Sequence, residues 1–142
     1  MTGPRDDDSL DGRVFESISN DSDGDVGGET YFEFDQTGDL VHARYQGGTV
    51  RLGHLVGLHL GDSLDFRYTH VTVDGDTATG HSIDRIERLD DGRLRLHEDW
   101  AWDSKDGSGT SVLEEVTDLG ECPRWIAANT KDDSVFDTFQ AD

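Results

Sequence analysis

The chain is short of cysteine, lysine and apolar residues, and each shortage closes off a class of protein. Cys122 is the only cysteine, so neither a disulfide framework nor a cysteine metal site can be built. Of the 12 basic residues only Lys105 and Lys131 are lysines, and 32 acidic residues outweigh them to a formal net charge of −20. A surface that negative repels phosphate backbones and anionic lipid, which argues against nucleic-acid and membrane partners. No run approaches the ~20 apolar residues of a bilayer span. The first residues, Met-Thr-Gly-Pro-Arg-Asp-Asp-Asp, hold no apolar signal region, so the expectation is a cytoplasmic protein. Without a secretion signal the sequon Asn20-Asp21-Ser22 carries no weight. Apolar residues make up 32% of the chain, too few for a large helical bundle and better suited to a sheet closed on itself.

What is abundant is aspartate. An acidic, lysine-poor surface is what the cytosol of an extreme halophile selects. At molar salt the Debye length is only ~3 Å, and the self-repulsion that would loosen the fold is screened.

Glycine turns punctuate the chain in series: Gly38, Gly47-Gly48, Gly61-Asp62, Asp74-Gly75, Asp91-Gly92 and Asp106-Gly107. Between and around them lie segments of strand length and pattern, at about 13–19, 29–36, 40–46, 49–60, 63–73, 77–88, 93–102 and 109–117. Eight strands joined by tight turns pair with their neighbours and can remove their edges by closing into an up-and-down barrel. The expected organisation is a loose acidic tail over 1–12, one all-β barrel over 13–117, and a C-terminal extension over 118–142. In that extension Trp125, Ile126, Phe136 and Phe139 suggest a short helical turn docked across the barrel, over one mouth, the equal alternative being an irregular, disordered tail.

The most informative segment is Arg-Leu-Arg-Leu-His-Glu-Asp-Trp-Ala-Trp, residues 93–102. Leu94, Leu96, Glu98, Trp100 and Trp102 share one face, with a carboxylate in the middle of an apolar row. On an interior face Glu98 is a general acid/base or ligand anchor, or else the structural partner of an arginine such as Arg67. His54 lies within Gly53-His54-Leu55-Val56-Gly57, a segment whose apolar face (Val50, Leu52, Val56, Leu58, Leu60) is expected to turn inward with His54 on it. Tyr45, Tyr68 and His70 can face the same lumen, and Trp100 and Trp102 can form a stacking wall.

No metal is expected. No histidine pair has the i, i+2 spacing of one strand face. Asp21, Asp23 and Asp25 resemble the start of a calcium loop, but Val26 and Phe32 stand where glycine and glutamate belong. No nucleophile elbow, phosphate loop or dinucleotide fingerprint is present, and no cofactor is implied.

Val14-Phe15, Gly28-Glu29-Thr30, Gly53-His54-Leu55-Val56-Gly57, the segment 95–102 and Ser111-Val112-Leu113-Glu114-Glu115 together resemble a family of small bacterial and haloarchaeal proteins often labelled N-acetylglutamate synthase. The label implies an acetyl-CoA site. The nearest approach to the Arg/Gln-x-x-Gly-x-Gly/Ala signature is Arg44–Thr49, which ends in threonine and leads into a strand. In architecture the pattern is similar to the calycin class of ligand barrels. Three functions follow. The barrel binds a small molecule through Glu98, His54, Trp100, Trp102, Tyr45, Tyr68, Arg67 and His70. Alternatively, Glu98 and His54 form the acid/base pair of a small enzyme. Alternatively, a packed barrel serves interaction, as a homodimer.

Overall fold

The computed structural model describes residues 8–20, 29–123 and 125–126. Eight antiparallel strands follow one another around a closed barrel: β1 (Val14–Asn20), β2 (Tyr31–Thr37), β3 (Leu40–Gly47), β4 (Val50–Leu60), β5 (Ser63–Thr72), β6 (Thr77–Arg88), β7 (Leu94–Trp102) and β8 (Ser108–Val116). Each pairs with its sequence neighbour, and β8 returns to β1, so no edge is exposed. The all-β up-and-down barrel read from the turns is the fold.

The turns also set register. At Asp91-Gly92, Gly92 takes φ 91° and the Leu89 N–H donates to the Arg93 carbonyl at 2.8 Å. Arg88 then falls opposite Leu94, and Asp84 falls opposite Glu98.

Alternation along the strands divides the interior into two halves. The half around the starts of β1, β3, β5 and β7 is apolar. Phe15, Phe34, Val41, Leu64, Leu94, Leu96 and Leu113 are all fully buried there, and Phe15 meets Phe34 edge to face at 5.3 Å. Residues 8–13 plug this end. Leu10 is fully buried in the core, and its N–H donates to Gln36 Oε1 at 2.9 Å. Arg13 Nη1 pairs with Glu115 Oε1 at 2.7 Å, and that same oxygen accepts the Leu94 N–H at 3.0 Å. The sequence reading assigns 1–12 to a loose tail; its described part is instead held by a single apolar anchor, Leu10, among polar neighbours.

After β8 a 3₁₀ turn (Leu119–Glu121) leads Cys122 and Ile126 onto Val14, with Tyr31 and Val116 alongside. Trp125 stacks over Arg44, 4.9 Å from ring centroid to Cζ. The helical turn is there, but it docks on the outer wall of β8–β1–β2 instead of over an end. Phe136, Phe139 and the Asp21–Asp23–Asp25 loop lie outside the described residues.

Candidate functional site

The other half of the lumen, beneath the turns that join β3–β4, β5–β6 and β7–β8, is built from polar and aromatic side chains. Strand β7 alternates as the sequence suggests, burying Leu94, Leu96, Glu98, Trp100 and Trp102. Strand β5 turns Leu64, Phe66, Tyr68 and His70 inward, and β3 adds Tyr45. Glycine makes room for the tyrosines: a Cβ at Gly53 would overlap the Tyr45 ring, and one at Gly80 would overlap Tyr68.

The aromatic groups form one connected wall. Tyr45 Oη and His70 Nδ1 are 2.9 Å apart, both residues buried. His70 stacks with Tyr68 at 6.3 Å and meets Trp102 edge-on at 5.7 Å. Trp100 lies 5.5 Å from Trp102. Trp100 is buried, and its Nε1 has no hydrogen-bond partner among the described residues. A buried indole N–H without an acceptor is a position at which a bound group would be stabilised.

Below this wall, at the boundary with the apolar half, two carboxyl groups face each other. Asp84 and Glu98 are cross-strand neighbours on β6 and β7, both buried. Ser82 Oγ donates to Asp84 Oδ1 at 2.5 Å, and Ser111 bonds Glu98 from β8. Burial, then the Glu98 charge, then a hydrogen bond from one carboxyl to the other push Asp84 well above the usual carboxylate range. Burial also raises Glu98, opposed by its bonds to Asp84 and Ser111. Asp84 Oδ2 has no hydrogen-bond partner among the described residues. Two carboxyls facing each other in the core disfavour simultaneous ionisation, so the pair takes up and loses its protons as a unit.

Two of the residues chosen from the sequence are not in the lumen. His54 is exposed on the outer wall, and Arg67 is exposed beside it, paired with Asp103 at 2.5 Å. The cause is a β-bulge: Val50 faces Thr72, but Leu52 already faces Val71, so Arg51 is an extra residue. Beyond the bulge the inward positions are Gly53, Leu55 and Gly57, while Val56, Leu58 and Leu60 are 56%, 42% and 51% exposed. One added residue moves a whole set of side chains to the other face. The glycines flanking His54 admit Tyr45 and Phe66 to the lumen, not a group approaching the histidine. His54 lies in a groove of about 460 Å³ with Val56, Arg67 and Asp103, and Leu55, Tyr68 and Gly80 also line it. Burial lowers its pKa, followed by Arg44 and His42. With Glu98 inside and His54 outside, the barrel wall separates them, and they cannot form an acid/base pair on one substrate.

The sequence reading missed Asp84, together with Ser82 and Ser111. The signal is the alternation of β6, which puts Ala78, Gly80, Ser82, Asp84 and Ile86 on one face, combined with the register of the Asp91-Gly92 turn.

A closed eight-stranded antiparallel barrel with an apolar floor and a polar, aromatic upper lumen is a barrel of the small-molecule-binding class. The family model described as Avidin-like protein matches residues 8–116, from the plug to the end of β8. The chain belongs to the avidin-like family. No curated protein matches it.

Proposed function

We propose that this protein binds one small molecule in the upper lumen, between the Tyr68–His70–Trp102–Trp100 wall and the Asp84–Glu98 pair. The observation that carries the reading is the unpartnered, buried Trp100 Nε1 beside a desolvated acid pair. Both are groups whose polar capacity is unspent in a core where such capacity is normally satisfied. We also propose that the protein works in a high-salt cytoplasm, the setting that suits its net charge of −20. Acid/base catalysis by Glu98 and His54 is not supported, since the wall divides them. Acetyl transfer, implied by the resemblance to proteins labelled N-acetylglutamate synthase, is checked by acetyl-CoA consumption with glutamate.

The test is mass spectrometry of small molecules released from protein purified in molar potassium chloride, beside a Glu98→Gln variant. A compound carried by the wild type and lost from the variant supports the reading. A compound bound equally by both places the ligand away from Glu98. Biotin is the first probe to add to an avidin-like barrel.

A second reading rests on the outer wall. Leu40, Val56, Leu58 and Leu60 are each more than 40% exposed on β3 and β4. Leu40 and Leu58 are direct cross-strand neighbours. An apolar patch on an otherwise acidic surface fits contact with a second copy. Sedimentation in molar salt tests it: a dimer that Val56→Asp and Leu58→Asp together dissolve supports the patch, and a monomer throughout rejects it.

A further inference from the structure

The Asp84–Glu98 pair has a property that the aromatic wall alone would not give: it is a buried acid pair that no cation among the described residues meets. The two carboxyls are buried and face each other across β6 and β7, and none of the ion pairs among the described residues reaches either of them. The contrast inside the same barrel is Arg13–Glu115, where a buried carboxylate has its guanidinium at 2.7 Å. Buried charges are ordinarily paired. Whenever either carboxyl ionises, its negative charge lies near the middle of the lumen with no guanidinium from the described residues beside it.

What surrounds that charge narrows what can neutralise it. Trp100 and Trp102 stand above it on the same strand face. Indole and phenol rings attract a cation through their π faces. Strand β7 itself supplies the spare Trp100 N–H, which calls for an acceptor or π surface on the same guest. The surface as a whole, at −20, enriches cations around the molecule.

The geometry points to an organic cation as the ligand, with a planar amidinium or guanidinium head on the Asp84–Glu98 pair and an apolar body against Trp100 and Trp102. This rests on the reading that the upper lumen is the ligand site. A planar N–H fork matches carboxylate oxygens in pairs, which an ammonium point charge does not. A guest that turned a carboxylate toward this pair would bring a further anion against buried carboxyls.

The test uses three probes of one shape: benzamidine (cation), benzamide (neutral) and benzoate (anion). Each is titrated by calorimetry, with tryptophan emission recorded in parallel, into wild type, Glu98→Gln and the double variant Asp84→Asn/Glu98→Gln in molar potassium chloride. Urea unfolding of each variant controls for folding; the single variant keeps the test open if the double one does not fold. The expected result is benzamidine bound at least ~tenfold more tightly than benzamide, benzoate undetected, and a preference that falls below ~twofold in the variants. Benzamide bound as well as benzamidine, or a preference that survives both substitutions, overturns the inference. A neutral compound that shifts tryptophan emission in all three proteins would leave the upper lumen as the ligand site while removing the cation. Failure of benzamidine to bind at all also overturns the inference, and the ligand site is then judged on the extracted compounds.

Discussion

Two buried carboxylates in one barrel are treated in opposite ways. Glu115, at the plugged end, is held by Arg13 Nη1 at 2.7 Å and by the Leu94 N–H at 3.0 Å. Glu98, two layers further along the lumen, faces a second carboxyl, and each of the two has one serine as its polar partner. The first arrangement ties the N-terminal segment to the end of β8 and closes the barrel. The second leaves charge uncompensated, which a core built only for stability would replace with an apolar pair. The difference separates the half of the lumen that holds the fold from the half that we propose for a guest.

The contrast is broken most forcefully at the plugged end. Arg13→Ala leaves Glu115 buried without its cation, and an expected loss of ~3–5 kcal/mol follows, read from urea unfolding in molar salt. Leu10→Ala empties a fully buried site in the same plug, at an expected cost of about 2–4 kcal/mol. Neither variant touches the aromatic wall, so compounds extracted from whatever folded fraction remains should match those of the wild type.

At the acid pair the sign reverses. Asp84 binds its proton more tightly folded than unfolded. Its contribution to stability is therefore fully present below the ordinary carboxylate range and is lost as pH rises through its raised value. Asparagine at 84 keeps the bond accepted from Ser82, donates to Glu98, and has no proton to lose. Asp84→Asn is expected to match the wild type near pH 4 and to exceed it by roughly 1–3 kcal/mol at pH 8. Unfolding free energies at the two pH values, compared between the two proteins, give the answer directly. A variant less stable than wild type at pH 8 would mean that the charged pair is compensated after all.

On the outer wall the effects should nearly vanish. Arg67→Ala removes an exposed pair with Asp103, both side chains well solvated, and the change in unfolding free energy should stay within about 0.5 kcal/mol. His54→Ala should leave the extracted compounds unaltered, because its side chain never reaches the lumen.

Most of this barrel was legible in the chain because tight turns are written in glycine and aspartate and strands in alternation. All eight strands lie within a few residues of where those signals put them. Glu98, Trp100, Trp102, Tyr45, Tyr68 and His70 share the lumen because β3, β5 and β7 keep an uninterrupted phase over those positions. Strand β4 misled because its larger apolar residues line up on one face, while the bulge at Arg51 turns that face outward and gives the interior to glycines. A bulge leaves no mark in hydrophobicity. Asp84 was readable in principle, since the Asp91-Gly92 turn fixes which residue stands opposite Glu98. Its strand face carries a weak signal because Ala78, Gly80 and Ser82 share it. Leu10 went unnoticed because a plug needs one anchor and no periodicity.

The account turns on the upper lumen being a place for a guest, and a crystal structure tests that most directly. The protein should come from cells lysed and purified in molar potassium chloride, never dialysed or denatured. We expect electron density for a non-protein molecule between Trp100, Trp102 and the Asp84–Glu98 pair, with an acceptor or ring edge at Trp100 Nε1. Density for ordered water alone, bridging Trp100 Nε1 and both carboxyls, would contradict the account and make the acid pair a feature of the packed core.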